Sequence, residues 1–187
     1  LHAISTSLEH AVTRRIPSNV PFASLLSGGL DSSLISALVA KKLSERGEPP
    51  LQTYTIGYEG YAKYDERPQA REVASHIGSV HHETVFTKEA FFEEIEKALV
   101  NLDEPLADPA LLPLSHLMQT LSNDGVKVLL TGDGSDELFL GYKTYAQLAE
   151  MESLKNIKNP QWLSNYFRKN FSMHKEWEWH KRLFEGS

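Results

Sequence analysis

Short apolar runs alternate with amphipathic stretches along the first 150 residues of the chain. The runs that are rich in apolar, β-branched or aromatic residues predict four strands, over residues 22–26, 51–56, 80–86 and 126–130. Gly57 directly follows the second run and is expected to end that strand.

Between the strands, apolar residues recur at helical spacing. This pattern predicts helices over residues 1–16, 34–46, 65–76, 87–101, 114–123 and 135–152. Pro17, Gly47 and Gly78 stand where the first three helices are expected to end, and Thr87 is expected to cap the fourth. Residues 103–113 contain three prolines and are predicted to form a loop.

Strands that alternate with helices are typical of an α/β fold. We therefore predict a parallel, doubly wound sheet of about five strands with helices on both faces. We expect residues 1–187 to form a single domain. Residues 153–187 are polar and aromatic, carry no motif, and are predicted to form a helical extension.

Composition narrows the classes of function. The 187 residues carry a formal net charge of −6, which argues against nucleic-acid binding because a phosphate-backbone binder normally presents a basic face. The chain has no cysteine, so it holds no disulfide, thiolate metal site or thiol nucleophile. No apolar run approaches the roughly 20 residues of a membrane-spanning helix, and we expect a cytoplasmic protein without a membrane partner. The first residue, Leu1, suggests a piece of a longer protein.

The strongest chemical signal follows the first predicted strand and reads Ser27-Gly28-Gly29-Leu30-Asp31-Ser32-Ser33. Two consecutive glycines permit a tight turn that brings backbone N–H groups close to a ligand, and the helix that follows adds unpaired donors and a positive dipole end. The three serine hydroxyls are further donors. This combination is typical of a phosphate-binding loop, although it has neither the ending of a Walker A motif nor the spacing of a Rossmann motif.

Asp31 is the unusual member of this loop because a carboxylate repels phosphate. A Mg²⁺ ion between the carboxylate and the phosphates would remove the conflict, since Mg²⁺ prefers oxygen ligands. The alternative is that the string is only a tight strand-to-helix turn in which Asp31 caps the helix.

The first string resembles the SGGxDS signature of the N-type ATP pyrophosphatases, which cleave ATP between the α and β phosphates. A second string resembles the (S/T)GEGxDExFxGY motif of the asparagine synthetases within that group, and reads Thr131-Gly132-Asp133-Gly134-Ser135-Asp136-Glu137-Leu138-Phe139-Leu140-Gly141-Tyr142. It follows the fourth predicted strand, and ligands of parallel sheets bind at the carboxyl ends of strands. The alternative here is that Asp133 and Asp136 only cap a helix.

Smaller matches to the same family extend the resemblance over residues 1 to about 150. Asp103-Glu104-Pro105 with Asp108-Pro109 resembles its DEPxxDP loop, Tyr64-Asp65-Glu66 resembles the opening of a helix, and Val80-His81-His82-Glu83 resembles the third strand. His81 and His82 alternate across a strand, so they cannot both ligate one metal ion, and a zinc site is not expected.

The resemblance implies an adenine nucleotide α-hydrolase-like fold and a synthetase that uses ATP and Mg²⁺. In this family a carboxylate, the side chain of aspartate, attacks the α-phosphorus of ATP, and ammonia then displaces AMP. The residues implied to bind ATP are Leu25, Leu26, Ser27, Gly28, Gly29, Asp31, Ser32, Ser33, Ile56, Thr131 and Gly132. Asp31 and Asp136 are implied to ligate Mg²⁺, and Asp133 to orient ammonia or accept its proton. The implied partners are aspartate, ammonia, an N-terminal glutaminase domain in the full-length protein and a second copy of the chain.

The match to the family is incomplete in three respects. The family usually carries Glu at position 133, or Tyr in its lactam-forming relatives, so the acceptor carboxylate stays open. The glutaminase domain, which begins with a cysteine nucleophile, is absent from this sequence, and the family's catalytic lysine has no match in residues 150–187. The alternatives are another amidotransferase or a β-lactam synthetase-like enzyme, a module that binds ATP without turnover, and a sulfur- or tRNA-modifying relative. The last class usually needs cysteines or a basic face.

Overall fold

A computed structural model of the chain describes residues 2–103 and 108–145. The chain divides into two compact units, Leu1–Gly134 and Ser135–Ser187. The helices and strands of the described residues, in chain order, are α1 (His2–Thr13), β1 (Phe22–Leu25), α2 (Leu30–Glu45), β2 (Gln52–Tyr58), a 3₁₀ turn (Ala62–Tyr64), α3 (Arg67–Ile77), β3 (Val80–Phe86), α4 (Lys88–Asn101), α5 (Leu111–Asn123), β4 (Val128–Leu130) and α6 (Ser135–Phe139). The predicted extension over residues 153–187 lies outside the described residues.

The four strands form one parallel sheet in the order β3-β2-β1-β4. Ser24 of β1 pairs with Thr53 of β2 on one side and with Leu130 of β4 on the other. The chain therefore builds outward from β1 to β3 and then returns to place β4 on the opposite side of β1. This reversal puts the switch point, where open α/β sheets bind ligands, between β1 and β4. The predicted parallel α/β sheet is confirmed, with four strands in the described part of the chain.

Helices cover both faces of the sheet because successive strand residues point to opposite sides. Ala23 packs with Leu117 and Leu121 of α5 in one buried cluster. Its neighbour Phe22 packs on the other face, against a cluster that includes Val39 of α2. A strand that is covered on both faces contains small or apolar residues throughout, which explains the Phe-Ala-Ser-Leu sequence of β1. None of the described helices has the length and apolar character that crossing a membrane requires.

The prediction that Gly57 ends the second strand is wrong, because β2 continues to Tyr58. Gly57 pairs with Val85 of β3 within the ladder. The side chain of Arg67 lies against it, and a Cβ at position 57 would overlap the guanidinium group. Glycine is used here for close packing in a strand interior, not for a turn.

Three helix starts differ from the predictions, that of α2 at the first glycine-rich string and two that involve proline. α3 begins at Arg67 and not at residue 65, with Pro68 in its first turn. α5 begins at Leu111, inside the predicted loop, with Pro113 in its first turn. Proline is tolerated there because the first N–H groups of a helix have no intrahelical partner.

The first helix ends earlier than predicted, and the helix predicted over residues 135–152 is interrupted before it resumes at residues 143–145. α1 ends at Thr13, before Pro17 can have a direct effect. α6 ends at Phe139 because Leu140 adopts the left-handed conformation, with φ of 59°, and residues beyond 145 lie outside the described part. The fourth strand is also shorter at its start than predicted, since the N–H of Val126 bonds to the carbonyl of Leu121 at the end of α5.

Two predicted signals are confirmed, one for the start of a helix and one for the end of a helix. Thr87 is the N-cap of α4, and its hydroxyl accepts a hydrogen bond from the N–H of Ala90 at 3.2 Å. Gly78 ends α3 in the left-handed conformation, with φ of 68°.

Candidate active site

The first glycine-rich string connects β1 to α2 at the carboxyl edge of the sheet. α2 begins at Leu30, four residues earlier than predicted, so Asp31, Ser32 and Ser33 all lie in its first turn. The N–H groups of a first helical turn have no intrahelical carbonyl partner and point out of the helix end as donors. This is the local geometry with which helix N-termini bind anions.

Gly28 is required by both its conformation and its surroundings. Its φ is 81°, in the region that favours glycine. A Cβ at this position would lie 2.6 Å from Cβ of Gln69 and 2.8 Å from the backbone nitrogen of Ala70, both in the first turns of α3. The loop after β1 therefore contacts α3 directly, and a side chain at position 28 would push the two apart.

The three serines of the loop have different surroundings. The hydroxyl oxygens of Ser27 and Ser32 are 2.9 Å apart. The Ser32 hydroxyl accepts from the N–H of Ser27 at 3.2 Å, and the Ser27 hydroxyl accepts from the N–H of Gly29 at 3.2 Å. The hydroxyl oxygen of Ser33, in contrast, is buried and has no hydrogen-bond partner among the described residues. Ser27 and Ser32 thus shape the loop, whereas Ser33 keeps its full hydrogen-bonding capacity.

Asp31 does not cap α2. The N-cap residue is Gly29, and no side chain bonds to the helix end there. The carboxylate is half-buried in the first turn, where the helix dipole favours a negative charge. The capping explanation for Asp31 is therefore wrong, and its oxygens remain suited to a cation.

The donor set at this edge fits Mg²⁺ better than a metal held by protein ligands alone. Within the described residues, no group of three or more His, Cys, Asp or Glu side chains is arranged to hold a metal ion. Mg²⁺ usually takes only one or two carboxylates and completes its shell with water and phosphate oxygens. Asp31, beside the N–H donors of the first turn of α2, meets that description.

The second glycine-rich string follows β4, the neighbour of β1, and its first glycine, Gly132, contacts the first string. A Cβ at Gly132 would lie 2.8 Å from the backbone nitrogen of Ser32 and 3.0 Å from Cβ of Asp31. Only a residue without a side chain permits this approach to the start of α2. The fold therefore brings the two motifs, which are distant in the sequence, into contact.

Asp133 follows directly and is exposed. Its Oδ2 accepts a hydrogen bond from the Thr131 hydroxyl at 2.9 Å, and the Thr131 oxygen accepts from the N–H of Asp133 at 3.4 Å. A Cβ added to Gly134, whose φ is 89°, would meet no atom within 4 Å. Asp133 is thus oriented by one neighbouring hydroxyl and is accessible to a ligand.

The residues implied to line an adenosine site lie near the carboxyl ends of β1 and β2. The Leu26 side chain is fully buried and packs with Ala70 and Ala74 of α3, so Leu26 is available to a ligand only through its backbone. Leu25 and Ile56 are half-buried and pack against the cluster of α5 on the other face. A role in nucleotide binding stays a prediction for all three.

Asp136 belongs to the second compact unit, in the first turn of α6. A Cβ at Gly141 would overlap Oδ1 of Asp136, and the N–H of Gly141 donates to the Asp136 carbonyl at 3.0 Å. Glycine at position 141 therefore makes room for the Asp136 carboxylate. Joint ligation of Mg²⁺ by Asp31 and Asp136 stays a prediction.

Arg67 lies at the same edge and is not among the predicted site residues. Its Nε and Nη2 donate to the two carboxylate oxygens of Asp65 at 2.8 and 2.7 Å, and its side chain lies on Gly57 at the end of β2. The hydrogen bonds within this pair lower the pKa of Asp65 and raise that of Arg67. An Asp-x-Arg string at the start of a helix is the signal that predicts such a pair.

The DEPxxDP-like segment is described only in part, since residues 104–107 lie outside the described ranges. Oδ1 of Asp108 accepts from the N–H of Ala110 at 2.9 Å, just before α5 begins. His81 and His82 contact different neighbours: Nδ1 of His81 lies 3.0 Å from Oγ1 of Thr53, and His82 stacks on Tyr54.

Comparison with known proteins supports the resemblance across the chain. The model of the asparagine synthase family matches residues 3–185. An asparagine synthetase (glutamine-hydrolyzing) of Brassica oleracea is 36% identical over 147 residues, which are 75% of this chain and 25% of that protein. A second enzyme of that name, from Lotus japonicus, is 33% identical over 159 residues, which are 81% of this chain and 27% of that protein.

Among solved structures, an NH3-dependent NAD synthetase from Campylobacter jejuni aligns with a TM-score of 0.46 at 18% identity, covering 99% of this chain and 84% of that one. The chain spans about a quarter of the length of the two plant relatives. Because the family model covers almost every residue, the chain belongs to the asparagine synthase family.

Proposed function

We propose that the chain is the synthetase portion of an ATP-dependent, amide-forming enzyme, which adenylates the side-chain carboxylate of aspartate for attack by ammonia. The contact between Gly132 and the first turn of α2 supports this proposal most directly, because it unites two nucleotide-binding motifs at the carboxyl edge of neighbouring strands. The names of the plant relatives supply the substrate class.

In the proposed reaction, an oxygen of the aspartate carboxylate attacks the α-phosphorus of ATP, which forms an acyl-adenylate and releases pyrophosphate. Ammonia then attacks the acyl carbon, and AMP leaves with the bonding electrons. The N–H groups of the first turn of α2 and the Ser33 hydroxyl bind the pyrophosphate oxygens. Mg²⁺, held by Asp31 and Asp136, would neutralise the charge that develops on the leaving group.

Asp133 acts on the second half of this reaction. Its exposed carboxylate, oriented by Thr131, orients ammonia or accepts a proton from it as the amide forms. The ammonia would come from a glutaminase domain in the full-length protein, in keeping with the glutamine-hydrolysing relatives. A cytoplasmic location and assembly with a second copy stay predictions.

The full-length protein permits a direct test, because free ammonium replaces the product of a glutaminase. With Mg²⁺, ATP, aspartate and ammonium, we expect pyrophosphate, AMP and asparagine in equal amounts. Mg-ATP should also raise the melting temperature relative to Mg²⁺ alone, since a ligand that binds only the native state stabilises it. Absence of both effects at millimolar nucleotide would contradict the proposal. Stabilisation without pyrophosphate from any carboxylate would identify an ATP-binding module instead.

A second candidate is a related amidotransferase or β-lactam synthetase-like enzyme that acts on another carboxylate. The observation that favours it is Asp133, which is one methylene shorter than the glutamate usual in the family. Pyrophosphate release with a panel of carboxylic acids separates the two candidates. Release that depends on an acid other than aspartate would support the second.

A further inference from the structure

A cavity of about 570 Å³ opens at the amino edge of the sheet, away from the glycine-rich loops. Phe22 and Gln52, the first residues of β1 and β2, both line it. Val126, which precedes β4, lies on the same lining. Since the loops after β1 and β4 leave from the opposite ends of these parallel strands, the cavity is separate from the proposed nucleotide site.

One part of the lining of this amino-edge cavity is apolar and stiff. Four prolines line it: Pro17, Pro21, Pro49 and Pro50. Proline has a fixed φ, so walls of this kind lose little conformational freedom when a ligand binds. The cavity also falls within the size range of small-molecule sites.

A connected group of polar side chains forms another part of the lining. The Tyr54 hydroxyl donates to Oδ2 of Asp124 at 2.9 Å, and the His82 ring stacks on Tyr54 with centroids 4.6 Å apart. Nε2 of His82 lies 2.8 Å from Oε1 of Gln52. Burial and the hydrogen bond to Asp124 raise the pKa of Tyr54 to about 12, so the hydroxyl stays protonated and keeps donating to the carboxylate at neutral pH.

The lining of the cavity carries negative charge. It includes the carboxylates of Glu48 and Asp124, and among the described residues that line the cavity none is a lysine or an arginine. Nη1 of Arg46 lies 3.6 Å from Glu48, which offsets part of the charge of that carboxylate. Asp124 accepts a neutral O–H from Tyr54, which leaves its negative charge in place. Such a lining favours a cation and disfavours an anion.

We propose that the amino-edge cavity binds a small organic cation, with its ammonium group next to Asp124 and its apolar body against the prolines. The polar group positions Asp124, and the stiff walls supply apolar contact area. This proposal does not rest on the proposed synthetase activity, because the two sites lie at opposite edges of the sheet.

Three probes with the same apolar body and different charges test the proposal: 2-phenylethylamine, 2-phenylethanol and 3-phenylpropionate. Each is titrated into the chain and followed by amide chemical shifts in NMR spectra. We expect the amine to bind most tightly and to shift residues that line the cavity, with the carboxylate weakest. Asp124→Asn should weaken amine binding by roughly two- to fivefold, the range for exposed ion pairs, and leave alcohol binding unchanged. Glu72→Gln, which removes another exposed charge, from α3, is the matched control.

The size of the cavity gives a second test that does not depend on Asp124. Val20→Trp places a bulky side chain at an exposed position of the lining and should reduce binding of the amine severalfold. The proposal is overturned by equal affinity for amine and alcohol, by no shifts at millimolar amine, or by unchanged amine affinity in both variants. Mg-ATP should leave the amine titration unaltered, so failure here and failure of the nucleotide proposal are distinguishable.

Discussion

The two glycine-rich loops at the carboxyl edge of the sheet differ in how their polar groups are held. The loop after β1 is tied by hydrogen bonds between Ser27, Ser32 and Gly29, and Gly28 packs against α3. The loop after β4 has one internal pair, between Thr131 and the exposed Asp133. The first loop is therefore part of the folded framework, whereas the second presents a side chain to a ligand. Substitutions in the first should alter stability and nucleotide affinity, and those in the second should alter the chemical step.

The largest effect should follow from Asp133→Ala in the second loop. General acid–base assistance is typically worth about 10²–10⁴-fold in rate, so amide formation should slow by that factor, or about 3–5 kcal/mol in the barrier. The measurement is asparagine formed from aspartate, ATP and ammonium, with Mg-ATP affinity and circular dichroism expected to stay near those of the unaltered chain.

Asp133→Glu and Glu72→Ala are the controls for this experiment. Glu is the residue that the family usually carries, so Asp133→Glu should keep activity, and Glu72 is exposed on α3. Normal turnover by Asp133→Ala would show that the carboxylate has no role in the reaction. An inactive Asp133→Glu beside an active unaltered chain would favour a different acceptor from aspartate.

Gly28→Ala should have the next largest effect, on stability. The positive φ costs an alanine about 1–2 kcal/mol, and the contacts with Gln69 and Ala70 add an overpacking cost of about 1–3 kcal/mol. Gly134→Ala in the second loop is the matched variant, because its φ is also positive but its surroundings are open. We therefore expect Gly134→Ala to incur only the first of these costs, measured as a decrease in the free energy of unfolding in urea. Equal losses in the two variants would mean that packing against α3 does not distinguish the loops.

This contrast also shows which parts of the site are predictable from the sequence. The order of strands and helices and the positions of both loops follow from local patterns, namely apolar runs that end in Gly28-Gly29 or at Gly132. That the two loops lie at one edge follows from parallel pairing. The contact of Gly132 with Ser32 is not predictable, because it depends on how closely β4 pairs with β1.

Pairing and packing with other parts of the chain explain some of what the local patterns miss. Gly57 has the local signature of a strand end, yet the strand continues because Gly57 and Tyr58 pair with Val85 and Phe86 of β3. Ser27, Ser32 and Ser33 are chemically identical, and only their three-dimensional surroundings separate the bonded pair from the unbonded hydroxyl. Local patterns therefore predict where chemistry occurs, and packing decides which side chains are free to perform it.

Asp31→Asn should have a smaller effect, which is confined to metal-dependent binding. The change keeps the shape of the side chain and removes one negative charge from the first turn of α2. We expect Mg-ATP affinity to fall about tenfold, or about 1.4 kcal/mol, whereas affinity for ATP without Mg²⁺ should stay or rise because a carboxylate repels phosphate. Calorimetric titration with and without Mg²⁺ measures both. An equal loss in the two titrations would mean that Asp31 supports the loop and does not bind the ion.

The smallest effect concerns Ser33→Ala in the first loop, for which Ser24→Ala in the preceding strand is the comparison. The Ser33 hydroxyl is buried without a partner, so its removal should leave the free energy of unfolding unchanged or raise it by up to about 1 kcal/mol. The buried Ser24 hydroxyl lies 2.8 Å from that of Ser36 and donates to the Leu130 carbonyl at 3.3 Å, so Ser24→Ala should cost about 1–2 kcal/mol.

Urea unfolding of both serine variants, repeated with saturating Mg-ATP, makes this comparison. If Ser33 donates to a phosphate, Ser33→Ala should gain less stability from Mg-ATP than the unaltered chain, although it is at least as stable without nucleotide. Ser24 lies in β1, before the loop, so Ser24→Ala should show the full stabilisation by Mg-ATP from a lower starting point. A destabilised Ser33→Ala chain would mean that the hydroxyl already has a structural partner. Full stabilisation by Mg-ATP in Ser33→Ala would remove Ser33 from the phosphate site and leave the backbone N–H groups of α2 as its donors.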